Sequence, residues 1–440
     1  MNRHTRYARS ALALAVLLAV AAPGQVLAQD AGAQDLEARI AQLEQMVQGL
    51  KAELDAQKAA EAAKPAPPAQ PIQAGTIMPA ANPGTRFSFG GFIKFDSMYT
   101  DTSDGEIPDS STGRLFYVPS TIPVGGVDED GADLDSHIQF SRLWFGADTD
   151  LDGHKLKAYL EMDLFGGALG NEVATNTYGV TIRHAYVSWD KWLAGPTWSN
   201  FQDAGALPDA VDFVGPTEGT IFVRQAQLRY TSGPWSFSLE NPETTYAAHL
   251  TGARGASDDN SVPDVTLRYM HKGSWGHFTV AGLARQLKYE TASSSESESA
   301  FALSVSGKWN VGANDDIRYM ISGGSGLGRY LAFGLGPDAM TAADGSLEAL
   351  DGYGGFVAWR HAFSPKLRGN LFYSMAQFDN DPLLTGLALT ESARSFHANL
   401  IYSPLPKIDI GAELIWGNRE LESGADGDLR RLHMHVKYSF

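Results

Sequence analysis

Residues 429–440 read LRRLHMHVKYSF. Leu432, Met434, Val436, Tyr438 and Phe440 alternate with Arg431, His433, His435, Lys437 and Ser439. A period of two is the signature of a strand whose faces meet different surroundings. The end of a water-soluble chain usually frays, yet this stretch is oily on one side, basic on the other, and finishes on an aromatic.

The same alternation returns throughout the sequence from Arg86 onward. Phe87, Phe89, Ile93 and Phe95 alternate with Ser88, Gly90, Lys94 and Asp96, and Ile408, Ile410, Ala412, Leu414 and Trp416 with Asp409, Gly411 and Glu413. A half-buried sheet in water would alternate as well, so the connections decide. The pattern predicts strands over 86–99, 136–149, 154–165, 180–190, 193–202, 220–231, 235–242, 262–272, 275–290, 299–311, 316–323, 352–363, 366–379, 392–403, 407–420 and 429–440. Long links (100–135, 166–179, 203–219, 243–261, 291–298, 324–351, 380–391 and 421–428) alternate with short ones carrying turn residues, such as Asp152-Gly153 and Ser364-Pro365. Long loops on one rim and short turns on the other describe an all-β, 16-stranded antiparallel transmembrane β-barrel. A soluble β-sandwich or a β-helix needs neither export nor that rhythm. The last strand is expected to pair with the first, leaving no edge.

The N-terminal part reads differently. Residues 1–28 carry Arg3, Arg6 and Arg9, an apolar run from Ala11 to Ala22 and a Val26-Leu27-Ala28 cleavage site, an export signal too short to span a bilayer. Residues 31–63 place Leu36, Ile40, Leu43, Val47, Leu50 and Leu54 at heptad spacing, an α-helical coiled coil whose β-branched a positions lean towards a dimer. The alternative is one amphipathic helix lying on the main domain. Residues 64–84 hold six prolines and form a stiff linker, leaving 85–440 for the barrel.

With no cysteine, disulfides and thiol chemistry are excluded. A net charge of −17 argues against nucleic acid as a partner. The acids gather in loop 100–135, where Asp101, Asp104, Glu106, Asp109, Asp128, Glu129, Asp130, Asp133 and Asp135 face one Arg114. On an outer rim they would bind divalent cations and bridge lipopolysaccharide; ordinary loop solvation is the plainer reading.

Basic residues instead share the polar parity of the strands. Arg142, Lys157, Arg229, Arg268 and Arg285 fall there, with Lys94 and Arg318. Arg183 is expected there too, although its strand, VTIRHAYVSWD, is apolar on both parities, and Arg224 shares parity with Ala226, Leu228 and Tyr230, which suits a subunit contact or a bulge. A charge facing lipid at mid-depth costs about 2–4 kcal/mol, so inward placement is favoured. Guanidinium groups in a narrow passage attract anions and grip carboxylates or phosphates bidentately. Pairing with Glu161, Asp163, Glu240 and Glu413 would instead make them wall packing. The glycines and prolines of segment 203–219, DAGALPDAVDFVGPTEG, can fold it inward as a constriction, with Asp212 and Glu218 available to oppose the arginines; the alternative is another exposed loop.

The stretches RFSFGGFIKFDSMY, FSRLWFGADT, IRHAYVSW, GPTWSNFQD and VGPTEGTIFVRQAQLRYT, behind a coil and proline linker, resemble the DcaP-like family of trimeric outer-membrane porins. The resemblance covers most of the mature chain. It implies a homotrimer, which outweighs the dimer lean of a short coil, with the coil in the periplasm and the third loop narrowing the pore. It also implies passive uptake of small anionic compounds, dicarboxylic or aromatic acids, across the outer membrane of a Gram-negative bacterium. No cofactor is called for. A weakly selective porin whose coil tethers the outer membrane to the cell wall is the rival reading. An enzyme is not expected: His433 and His435 have no nucleophile signature beside them, and no HExxH or phosphate-binding loop occurs.

Overall fold

The computed structural model describes residues 41, 44–49, 51–52, 55, 84–126, 132–166, 178–291 and 295–440. The chain divides into two units, Met1–Ile77 and Met78–Phe440. The described residues of the first unit are helical and exposed, Val47 among them. The export signal, the other seam positions of 31–63 and all of the linker except Gly84 lie outside the described residues.

The second unit is a barrel of antiparallel staves. They are β1 (Arg86–Thr102), β2 (Asp133–His137 and Arg142–Leu151), β3 (His154–Gly166), β4 (Gly179–Trp189), β5 (Trp192–Ala194), β6 (Gln227–Ser232), β7 (Trp235–Glu240) and β8 (Asp264–Gly273). They continue as β9 (Gly276–Glu290), β10 (Ser295–Val311), β11 (Asp315–Ser325), β12 (Asp351–Ser364), β13 (Leu367–Asp379), β14 (Thr390–Tyr402), β15 (Ile408–Leu421) and β16 (Asp426–Ser439). Both pieces of β2 pair with β1, so the 17 strands of the main sheet make sixteen staves. β16 returns to β1, with Phe95 opposite Val436 and Ser97 opposite Met434, and the barrel closes. Phe440 extends the seam by two bonds, its N–H donating to the Gly91 carbonyl at 3.0 Å and its carbonyl accepting from the Gly91 N–H at 3.4 Å.

The alternation becomes two surfaces. Phe89, Phe95, Leu414, Val436 and Tyr438 project outward, 45–59% exposed, whereas Asp96, Glu413 and His433 on the inward parity are fully buried. A continuous belt of exposed apolar side chains is stable only against lipid. The short turns carry the expected geometry: Asp152 and Gly153 both have positive φ, at 51° and 83°, as a two-residue hairpin requires.

Three expectations change. The connections at 291–294 and 422–425 are short, because β10 and β16 begin earlier than the pattern shows. Predicted strands 193–202 and 220–231 shrink to β5 and β6, since Gly195 and Pro196 turn the chain off the wall. The lumen is also not uniformly polar. Inward residues of β9–β14, among them Leu283, Met320, Phe356, Phe372 and Phe378, pack with Leu327, Tyr330, Leu331 and Leu335 of the loop 326–350 into a dry core. Above it, Thr244–Ala247, Arg254–Ser257, Ala339–Thr341 and Leu347–Ala349 form a separate four-stranded sheet.

Leu414 lies midway along β15 on the lipid side. Leu414→Arg should lower the unfolding free energy of the vesicle-folded barrel by about 2–4 kcal/mol in urea titrations, with Leu414→Phe nearly neutral. Equal midpoints for wild type and L414R would show that this face does not meet hydrocarbon.

Candidate functional site: the narrowed lumen

Gly195 has φ 127°, and a Cβ there would lie 2.3 Å from the Ala185 carbonyl oxygen. Pro196 then lacks an N–H for the ladder. The chain leaves the wall, pairs Thr197–Trp198 with Arg224–Gln225, and crosses the interior between them. Asp203 holds the near end, accepting from His277 (2.9 Å), Thr279 and Ser306 (each 3.0 Å) on β9 and β10. The far end reaches the opposite wall. Lys94 of β1 donates to the Val211 carbonyl (2.7 Å), the Val211 N–H donates to Glu413 of β15 (2.6 Å), and Asn370 of β13 and Asn399 of β14 donate to the Asp209 carbonyl (2.9 and 3.1 Å). Gly411 on β15 leaves room for it, since a Cβ there would meet Val211 at 2.7 Å, and Gly417 on the same strand leaves room for Tyr117 of the first long loop, whose hydroxyl a Cβ would meet at 2.5 Å.

Asp212 and Glu218 do not oppose the arginines across the passage. Asp212 accepts from the backbone N–H groups of Tyr117 (2.8 Å), Val214 and Gly215 (each 3.0 Å), with His433 3.5 Å away. Glu218 accepts from the Tyr117 hydroxyl and from Ser395 (2.9 Å). Both side chains are buried. A loop folded into a packed interior must satisfy its own N–H groups, and these carboxylates do so. Burial works to raise the Asp212 carboxyl, but His433 and the backbone donors overcome it and hold the group below the usual carboxylate range. Burial pushes Glu218 up.

The arginines separate into paired and unpaired. Glu161 of β3 faces His184 and Met162 faces Ile182, so Arg183 is the extra residue of a β-bulge, and both Arg183 and His184 turn inward. This explains the two apolar parities of VTIRHAYVSWD. Arg183 donates to Glu161 (3.0 Å) and Asp163 (2.7 Å), and Arg142 of β2 lies 3.3 Å from Glu161. Arg183 also lies over the Phe213 ring at 5.3 Å, beside Phe116, Phe140, Phe165, Phe222 and Phe333.

Arg224 faces inward, not a subunit contact. It lies over Trp198 at 4.7 Å and Phe222 at 5.4 Å and has no carboxylate partner among the described residues. Arg229 donates to Gln227 (2.8 Å) and to the Trp198 carbonyl, and Arg268 donates to the Gln202 carbonyl (3.1 Å), again without an acid. Lys157 lies over Tyr159 at 5.1 Å, close to the turn at 152–153. Arg285 departs from expectation. Its side chain is wholly buried against Asp264 (3.1 Å) and Asp338 (2.7 Å), so it anchors the loop 326–350 and cannot touch a solute. Charge patterning does not reveal the aromatic partners Trp198, Phe213 and Phe222; their signal is the cluster of rings in GPTWSNF and VDFVGPTEGTIF. At the acidic rim, Arg114 pairs with Asp133 (2.7 Å), and among the described residues no group of acids and histidines suits a metal ion; Asp128, Glu129 and Asp130 lie outside them.

A sealed barrel with an apolar belt, a charged lumen and a loop folded across it is a membrane channel of the porin class. The chain belongs to the DcaP outer membrane protein family, whose family model matches residues 23–440. Among solved structures it is similar to the outer membrane channel DcaP of Acinetobacter baumannii, at 24% identity over 82% of this chain and 99% of that one, with a TM-score of 0.67. An anion-selective porin from Comamonas acidovorans matches at 10% identity over 81% of this chain and 100% of that one, TM-score 0.49. Outer-membrane expressed OmpT of Vibrio cholerae matches at 11% identity over 82% and 99%, TM-score 0.49. No curated protein matches.

Asp212→Ala removes the acceptor for three backbone N–H groups and should weaken the loop's anchorage by about 2–3 kcal/mol. Single-channel recordings should show larger conductance with added flicker. Wild-type current and noise in D212A would mean that the other anchors suffice.

Proposed function

We propose that the protein is an anion-preferring channel for passive uptake of small organic anions, with dicarboxylic and aromatic acids as its solute class. The observation that carries this reading is the set Arg224, Arg229 and Arg268, three inward guanidinium groups with no carboxylate partner among the described residues. Each leaves donors that a passing carboxylate can use, in a confined space where charge is poorly screened. The rings of Trp198, Phe213 and Phe222 beside Arg183 and Arg224 add flat apolar surface that suits an aromatic acid.

In bilayers under a salt gradient, the reversal potential should have the anion-preferring sign. Arg224→Gln and Arg229→Gln should each move it towards zero. A cation-preferring value in the wild type would overturn the proposal, and near-zero selectivity would favour the weakly selective porin.

The same reading takes the channel as a homotrimer whose residues 31–63 form a periplasmic coil, supported by the heptad seam and the helical residues 44–49. Contact of that coil with the cell wall, and of the acidic rim with lipopolysaccharide and divalent cations, belongs to the reading as well. Deleting 31–84 should leave the reversal potential unchanged while reducing cross-linked trimer in membranes. Unchanged cross-linking would assign assembly to the barrel alone.

A further inference from the structure

A cavity of about 310 Å³ opens at the short-turn end of the lumen, and Arg229, Arg268, Lys272, His277 and Asp203 are among its lining residues. Short turns mark the periplasmic side of such barrels, and Lys272 stands next to the turn between β8 and β9. Arg142 opens the lower piece of β2, nine residues above that rim at Leu151, so the cavity lies below the Arg142–Arg183 row.

The cations here outnumber the acids: Arg229, Arg268 and Lys272 stand against Asp203 in the lining and Glu240 beside it, and the two carboxylates keep their charge but have their oxygens held by other donors. Asp203 is buried and spent on His277, Thr279, Ser306 and the Gly205 N–H. Glu240, the other acid near Arg268, is spent on Asn200, Gln225 and Ser238. The two guanidinium groups are fixed by carbonyl oxygens, of Trp198 and of Gln202, so they are positioned without being neutralised. The Nε of Arg268 and both amide atoms of Gln202, which lines the same cavity, have no partner. Unpartnered buried polar atoms are rare enough to need a cause, and a bound ligand or water supplies one.

We propose that this cavity is a second anion site, in series with the Arg142–Arg183–Arg224 row and on its periplasmic side, and that it holds a small dianion. Arg229 on β6 stands opposite Ser238 of β7, and Arg268 on β8 opposite Ser236, so the two are two strands and two residues apart. Two inter-strand spacings and two residues along the strand put their backbones about 12 Å apart, within the combined reach of two arginine side chains closing on one solute. Short dicarboxylates and phosphate monoesters share the necessary chemistry. A solute then crosses in two hops, released from the upper row to the lower site before it leaves. The inference rests on the anion-preferring reading.

The test uses the full chain in planar bilayers, with succinate or inorganic phosphate added to one side at a time. The wild type should show two classes of current blockade, the class favoured by periplasmic addition belonging to the lower site. Arg268→Gln and Arg229→Gln should shorten that class about tenfold, Arg268→Lys less, while Arg224→Gln alters only the other class. Blockade by succinate alone would assign the site to dicarboxylates, and blockade by both to dianions at large. Unchanged blockade times in R229Q and R268Q, in a wild type that prefers anions, would remove the second site and leave the channel reading standing. Loss of anion preference in the wild type itself would remove both.

Discussion

Everything in this molecule depends on leaving no backbone group unpaired where there is no water. In hydrocarbon an orphaned N–H or carbonyl costs several kcal/mol, and a sheet edge would present a row of them. The seam between β1 and β16 disposes of both edges at once, pairing Phe92–Thr102 against Leu429–Ser439. Once that register is set, parity is set for the whole wall, because a slip of one residue would turn every side chain to the other face. Phe95 therefore meets lipid because Asp96 meets the lumen.

Two solvents act on the same wall, and they hold the protein together differently. A leucine gains little by leaving lipid for protein, so the outer belt stabilises by matching its surroundings. The lumen is aqueous, and there the hydrophobic effect works as in any soluble core. Burying a large apolar side chain contributes about 1.5–3 kcal/mol. Tyr330, Leu331, Phe372 and Phe378 use that gain to fasten the loop 326–350 against β9–β14. The constriction loop uses the other currency available inside, hydrogen bonds to inward carboxylates and amides. The interior is thus divided between an apolar sector and the basic sector of β2–β8.

The fold was legible because lipid imposes a period of two over many residues, a signal that summed reliably across the staves. It failed where function bends the wall. β5 and β6 are shorter than the pattern predicts because TWSNFQ and TIFVRQ carry strand-like residues, while only Gly195-Pro196 announces the departure. Arg183 was ambiguous because a bulge shifts parity by one, and a bulge leaves no composition of its own. Asp212 and Glu218 were misread for a different reason. A carboxylate in a loop reads the same whether it faces a pore or caps its own backbone, and that distinction lies in contacts with Tyr117, 95 and 101 residues away in sequence. Nor could sequence parity separate Arg285, locked between Asp264 and Asp338, from Arg268, which bonds a backbone carbonyl and has no carboxylate partner among the described residues.

That separation matters more than the number of arginines. Glu161 and Asp163 project into the basic sector and would cancel two positive charges wherever they reached. Arg142 and Arg183 absorb them at short range, two charges against two. A closely paired set produces a field that dies within a few ångströms, and physiological salt screens the remainder over about 8 Å. Arg224, lying over Trp198 and Phe222, has no carboxylate at ion-pair distance among the described residues and keeps an unpaired charge. The paired arginines thus serve the passage indirectly: the bulge that turns Arg183 inward brings it onto both acids, and Arg224 is left to face whatever enters the lumen.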